Sequence, residues 1–418
     1  MSNRAPHECS RAGEFLMKYR PPRILQRIEM PGVQTRLNEA EEQALLKVLR
    51  EANSLATGPE GVALEKEFAA YLNCGDAVAL SSCSAALELS ATLTGLGAGD
   101  EVIIPAHTFV ASAVPFGRTG ATIKWADIDP ETRNVSAVSI ESLISDKTKV
   151  IVAVHLYGLP CDMDAIMAVA DKHDIYVVED CAQAPGARYQ GKHVGSIGHF
   201  GCFSFHTHKN INTLGEGGLL AVRDPKHAVA ARRLRWMGNW PIEGNRSRYW
   251  EPAMADLVEP IPGQWPVNFC MGEPNAAVGR LLLNRLDDIN SQRREQAARF
   301  KGYFKDYPEM SFQAEPEGCQ HVYHLMSARY DGQSYGKDNS DLIECLFEKY
   351  QLKCIVQYWP LNRSNLFKKF GFSKAIVPES DRFFDNMISF PWWSYMGNDL
   401  VDDMAQRVIS GLEELRGR

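Results

Sequence analysis

No two of the chain's ten cysteines are spaced C-x-x-C: Cys9, Cys74, Cys83, Cys161, Cys181, Cys202, Cys270, Cys319, Cys345 and Cys354 are scattered, mostly among apolar neighbours. That scatter speaks against a disulfide framework and reads as reduced, intracellular thiols. Also absent is any apolar run of the ~18 residues that a spanning helix needs. The first residues, "MSNRAPHECSRAGEFLMKYRPPR", lack the apolar centre of a signal peptide, so a soluble cytoplasmic protein with no membrane partner is expected. Nor is there a block of like charge. With 45 Lys+Arg against 52 Asp+Glu the chain carries net −7, which argues against nucleic acid as a partner. Internal repeats and low-complexity tracts are missing too.

What is present suits two domains, because 418 residues exceed one compact core. Helical spacing runs through "NEAEEQALLKVLREA" from Asn38 to Ala52 and again from Ala63 to Leu72. Short apolar runs then alternate with helix-like segments: "AVAL" at Ala77, "EVIIP" at Glu101, "TIKWADI" at Thr122, "VIVAVHL" at Val150 and "IYVVED" at Ile175. The helices between them are expected from Ala85, near Val110 and from Asp164. This alternation predicts an α/β fold with a mainly parallel sheet covered on both faces. "HFGCFSF" and "GGLLAV" suit two further strands. A Pro-, Gly- and Trp-rich stretch from Trp240 to Pro266 reads as a long loop over a site or a subunit contact. From Glu273 a helical pattern continues to about Tyr303, and a small mixed domain follows.

Ligands of open parallel sheets sit beyond the carboxyl ends of the strands. After "AVAL" come Ser81 to Ser84, hydroxyls and free amides at a helix start, which serve either as plain N-caps or as a phosphate site. After "EVIIPA" come His107, Thr108 and Phe109, where the aromatic ring is either core or a surface for a flat ligand. After "IYVVE" comes Asp180, then Gln183. A carboxylate there caps the next helix or meets a cation. In "FSFHTHKNINTLGEGG", Lys209 is an ordinary loop cation or an amine that bonds to a cofactor. A phosphate, a flat ring, a protonatable ring nitrogen and an aldehyde would give all four features a use, and pyridoxal 5′-phosphate carries all of them. His199, Cys202, His206 and His208 allow a competing metal reading, but the two ligand pairs at turn spacing that structural zinc favours are missing, so no metal is expected.

Several segments together resemble the DegT/DnrJ/EryC1/StrS sugar aminotransferases, from about Glu39 to the C-terminus. They are "TGPEGVALEKEFAAYL", "ALSSCSAALELSA", "GDEVIIPAHTFVASA", "VHLYGLPCDMDAI", "VVEDCAQAPGARYQGKHVGSIGHFGCFSFHTHKN", "GEGG" and "NFCMGEPNAAVG". The resemblance implies a fold-type I, pyridoxal-phosphate-dependent transferase. Its large domain would hold a mainly parallel seven-stranded sheet flanked by helices, and a smaller α+β domain would follow. On this chain that gives an arm over 1–35, a large domain over 36–285 and a small domain over 286–418. The resemblance further implies a homodimer with a shared active site, Lys209 as Schiff-base lysine and Asp180 as partner of the pyridinium nitrogen. Gln183 would lie beside the ring, Phe109 would stack on it, and Ser204 would bind phosphate. Ser84 and Ala85 would cradle the phosphate, and Asn268 would reach it from the neighbouring subunit.

Dehydrating relatives carry histidine in place of the lysine, so an amine at position 209 implies transamination, with glutamate as expected donor and a carbonyl sugar as acceptor. Two departures stand out: Ser82, Cys83 and Ser84 replace Ser-Gly-Thr, and Cys270 replaces an arginine. "VQYWPLNRSNLF", Val356 to Phe367, replaces a histidine-containing loop. With "SFHTHKN" and "GNWPIEGNRSRYW" it resembles the branch that makes 8-amino-3,8-dideoxy-manno-octulosonate for lipopolysaccharide. The acceptor would then be 3,8-dideoxy-8-oxo-manno-octulosonate. Arg246, Arg248 or Arg363 could clamp its carboxylate, unless they are surface or subunit contacts. His206, His208 and Tyr358 are further candidates for substrate contact. A nucleotide-linked keto sugar or a cyclitol ketone is the alternative acceptor. A non-catalytic cofactor-bound regulator is the more remote alternative.

Overall fold

The computed structural model describes residues 25–239, 257 and 259–417. Most of the Trp240–Pro266 stretch, with Arg246 and Arg248, lies outside the described residues.

Seven strands form the main sheet, and each coincides with an apolar run. They are β1 (Asp76–Leu80), β2 (Glu101–Pro105), β3 (Thr122–Ala126), β4 (Thr148–Val154), β5 (Tyr176–Asp180), β8 (Phe200–Ser204) and β9 (Gly218–Val222). Two short strands, β6 (Arg188–Tyr189) and β7 (Lys192–His193), intervene in the chain. The order across the sheet is β1-β9-β8-β5-β4-β2-β3. The pairs from β8 to β3 are parallel, whereas β9 runs antiparallel to both its neighbours, β1 and β8. Because β8 follows β5 in parallel and β9 returns beside it, the β8–β9 loop opens at the same sheet end as the carboxyl end of β5. That places "HTHKN" next to Asp180.

Burial follows from this layering. The central strands are apolar and buried on both faces, as in Val150 to Val154, because helices cover both sides. The expected helix from Ala85 starts earlier, as Cys83–Leu93, since Ser82 takes an extended backbone and its Oγ accepts from the Ala85 amide. Near Val110 there is a short 3-10 turn, Val110–Ser112, before the helix Val114–Arg118. The pattern from Glu273 divides into helices Glu273–Leu283 and Leu286–Gly302. Arg285 breaks it with φ −107 and ψ 1, and its guanidinium pairs with Glu41 at 2.6 Å.

A second core gathers Ile28, Phe300, Tyr330, Leu346, Phe390, Trp392 and Leu412. It surrounds the antiparallel sheet β10 (Met310–Phe312), β12 (Met326–Tyr330) and β13 (Met387–Phe390). The remaining strand, β11 (Cys319–Gln320), pairs with β6. No helix among the described residues is long and apolar enough to cross a membrane.

Candidate active site

A cavity of about 520 Å³ opens where β5, the β8–β9 loop and the start of the helix Cys83–Leu93 converge. Lys209, Asp180, Gln183, Ser84, Phe109 and Ser204 all line it. Those six residues span more than a hundred positions of chain, so the topology alone makes them neighbours.

At one end lies the helix start. The Ala85 amide donates to Ser82 Oγ at 3.1 Å, which leaves the amides of Cys83 and Ser84 without intrahelical partners and free for an anion. Ala85 is thus engaged in capping and is not itself at the cavity wall. Cys83 fills the place expected of a glycine, and its thiol is held protonated by burial, reinforced by Asp180. The loop below is kept close by Gly218, where an added Cβ would lie 2.2 Å from the Ser82 carbonyl carbon and 2.4 Å from the Cys83 amide nitrogen. That contact explains why the β9 end of "GEGG" lacks a side chain.

On the cavity floor, Asp180 is buried, and both its carboxylate oxygens are occupied. Ser112 Oγ donates to Oδ2 at 2.7 Å and the Ala182 amide to Oδ1 at 3.0 Å. Its neighbour Glu179 accepts from the amides of Gly195, Ile197 and Gly198 and meets His155 Nε2 at 3.0 Å. Gln183 is fixed by the Tyr157 amide, which donates to its Oε1 at 2.9 Å.

Lys209 follows a turn in which its amide donates to the His206 carbonyl at 2.8 Å. Burial lowers the pKa of its amine, and the charges of Asp180, Cys83 and Glu216 act in the opposite sense. The net fall raises the fraction of free amine at neutral pH, as a nucleophile and proton carrier requires.

Toward the mouth, Phe109 is half exposed and meets Tyr358 edge-on, with ring centroids 5.7 Å apart. His206 and His208 both line the cavity with rings 5.0 Å apart, and His206 Nε2 lies 3.7 Å from Glu216. Burial and the nearby His206 and Lys209 lower the pKa of His208.

Other expected residues lie elsewhere. Asn268 does not line its own chain's cavity; it bridges to Trp236. Arg363 also lies off the lining and is paired with Asp381 at 2.6 Å and Asp385 at 3.0 Å. With both carboxylates engaged, its guanidinium is not free to clamp a substrate in this arrangement. The four residues of the metal reading do not gather. His199 instead accepts from the Val177 amide, and Cys202 is buried within β8. The one set of three ligand atoms among the described residues is His155, Glu179 and Cys181, already tied into the hydrogen bonds behind β5.

Sequence reasoning missed Met30, Gln34, Glu216 and His324, which also line the cavity. His324 is buried, and its Nδ1 has no partner among the described residues. The pattern "HVYHLM" gives no local sign of this, since only the tertiary fold brings it beside Lys209.

A second cleft, about 540 Å³, lies against the helix Glu273–Leu283. Its charges are internally satisfied: Arg280 binds Glu60 and Glu67, and Glu273 accepts from the amides of Gly58, Glu60 and Gly61.

The cavity's donor set fits pyridoxal phosphate: free amides at a helix start, a fixed carboxylate opposite, and a buried amine between walls that carry an aromatic ring. The DegT/DnrJ/EryC1/StrS aminotransferase family model matches residues 36–410. The spore coat polysaccharide biosynthesis protein SpsC of Bacillus subtilis is 36% identical over 378 residues, spanning 89% of this chain and 94% of SpsC. The dTDP-3-amino-3,4,6-trideoxy-alpha-D-glucose transaminase of Streptomyces venezuelae is 30% identical over 376 residues, spanning 90% and 92%. Among solved structures, the PLP-form of the putative sugar aminotransferase Spr1654 from Streptococcus pneumoniae superposes with a TM-score of 0.82. It is 28% identical and covers 93% of this chain and 100% of its own.

Proposed function

The chain belongs to the DegT/DnrJ/EryC1/StrS aminotransferase family, and from that premise we propose that it moves nitrogen from glutamate to a carbonyl sugar in two half-reactions on one site. It is a pyridoxal-phosphate-dependent sugar aminotransferase. The observation that carries the reading is the convergence of Lys209 and Asp180 on one cavity beside a helix start whose first two amides, Cys83 and Ser84, have no intrahelical partner.

Bound pyridoxal phosphate supplies an aldehyde carbon for amine exchange and a ring that takes up the electron pair left when a substrate C–H bond breaks. The chain's residues do the rest. The amides of Cys83 and Ser84, with Ser204, hold the phosphate. Asp180 holds the proton on the ring nitrogen, and Gln183 and Phe109 fix the ring's plane. Lys209, its pKa lowered by burial, carries the proton to and from the substrate carbon. Tyr358 and Phe109 wall the mouth and limit water. We take the working unit to be a homodimer, because Asn268 lies outside its own cavity and suits the partner's phosphate.

For the acceptor, the first reading is 3,8-dideoxy-8-oxo-manno-octulosonate, giving the 8-amino sugar of lipopolysaccharide. It rests on the "SFHTHKN" loop and on Val356 to Phe367, whose Gln357 and Tyr358 reach the cavity. A nucleotide-linked keto sugar is the second reading, favoured by the Streptomyces venezuelae relative. Holoenzyme with glutamate and a panel of both acceptor types, followed by NMR of the products, separates them. Amination of the octulosonate alone supports the first, and amination of the nucleotide sugar alone overturns it. The visible colour should bleach on adding glutamate in either case.

A further inference from the structure

The carboxylate of Asp180 is not held by backbone alone. Thr108 Oγ1 lies 2.9 Å from Ser112 Oγ, which in turn lies 2.7 Å from Asp180 Oδ2. All three side chains are buried, with Thr108 at 0%, Ser112 at 2% and Asp180 at 4% exposure. Geometry gives the distances, and chemistry fixes the direction. An ionised carboxylate only accepts, so Ser112's single hydroxyl hydrogen is committed to Asp180. Ser112 can then only accept from Thr108, and the Thr108 hydrogen must point at Ser112. The result is a one-way chain, Thr108 to Ser112 to Asp180.

We infer that Ser112 is a positioning residue: with Thr108 behind it, it fixes the carboxylate of Asp180 and aims it at the ring nitrogen of the cofactor. Hydrogen bonds to the charged form favour that form, and a second donor polarises the first. The inference rests on the reading of Asp180 as partner of the ring nitrogen. The sequence hides this role because "HTFVAS" looks like a helix start, whereas the 3-10 turn Val110–Ser112 swings Ser112 beneath β5. The other titratable groups that act on Asp180 are Lys209, Cys83, Cys181, Cys202 and Tyr358. Lys209 is the one basic side chain of that set, and the hydroxyl chain is the neutral part of the shell that fixes the Asp180 carboxylate in place.

The test uses holoenzyme loaded with ¹⁵N-labelled pyridoxal phosphate and reads the ring-nitrogen shift by NMR over roughly pH 6 to 9, alongside cofactor Kd by dialysis. In the parent protein the ring nitrogen should stay protonated throughout. Ser112→Ala should lower the pH at which it deprotonates by about one unit and weaken cofactor binding about tenfold. Ser112→Thr should restore both. Thr108→Val, which spares the direct bond to Asp180, should shift the ring nitrogen the same way by less, and it carries the test if Ser112→Ala fails to fold. Asp180→Asn is the control. If it changes the ring-nitrogen signal while Ser112→Ala and Thr108→Val do not, the relay is wrong and the site reading survives. If Asp180→Asn also leaves the signal unchanged, Asp180 does not partner the ring and both ideas fall.

Discussion

The two ends of one cavity are built differently. At the cofactor end three polar side chains already have internal partners: Asp180 with Ser112 and the Ala182 amide, Gln183 with the Tyr157 amide, and Ser82 with the Ala85 amide. At the mouth, Phe109 is half exposed, and His206 accepts from the His208 amide at 3.2 Å while its Nε2 stays 3.7 Å from Glu216. A site that must hold one fixed cofactor is rigid before binding, because a misplaced charge there would be buried and uncompensated. A site that must admit a donor and then a larger sugar leaves its rim side chains exposed and loosely held, to be engaged by whichever substrate enters.

That contrast can be broken from the inner end first. Lys209→Ala should lower turnover by about 10⁴-fold, the upper end for a positioned acid–base group, while circular dichroism stays unchanged; retained turnover would remove the lysine from the chemistry. At the mouth, His206→Ala combined with His208→Ala should raise KM for the sugar about tenfold and leave the cofactor Kd alone. A large fall in cofactor affinity instead would move these histidines to the inner end.

The cofactor end should also carry an acid-sensitive signature. His107 sits behind it, bonded to Tyr157 Oη at 2.8 Å, and burial with help from Arg133 lowers its pKa to about 3. In the unfolded chain it titrates near 6.5. As pH falls below that value the unfolded state takes a proton that the folded state refuses, so stability is lost between about pH 6.5 and 3. Going from pH 7 to 6 the loss from this one group is about 0.7 kcal/mol. His107→Gln should flatten that part of the curve, measured by urea unfolding; an unchanged slope would mean His107 is not held neutral. Smallest of all, Arg363→Ala removes part-exposed ion pairs to Asp381 and Asp385, so stability should fall by no more than about 1 kcal/mol. KM for the sugar should not move. A rise in KM would make Arg363 a substrate clamp after all.

The inner end was also the more legible one. Each main-sheet strand is a short apolar run ended by a polar residue, so strand identity and the position of Ser84, Phe109, Asp180, Gln183 and Lys209 near strand ends could be read locally. The mouth was legible only in part: Phe109, His206, His208 and Tyr358 could be picked out from their motifs, whereas Gln34, His324 and Gln357 reach the cavity from segments far apart in the chain with no periodic mark. Strands of two residues, such as Arg188–Tyr189 and Cys319–Gln320, are too short for any alternation to show. Ser112 was hidden for a third reason, since its segment's helix-like composition gave no hint of a 3-10 turn. The helical pattern read from Glu273 to about Tyr303 is helical in the structure but divides at Arg285, whose side chain pairs with Glu41.

The most direct test of the inner end is chemical trapping. Holoenzyme is reduced with borohydride, digested and analysed by mass spectrometry. The phosphopyridoxyl mass should appear on the peptide containing Lys209 and disappear in Lys209→Ala. The same mass on another lysine, or on none, would contradict the placement of the cofactor between Lys209 and Asp180.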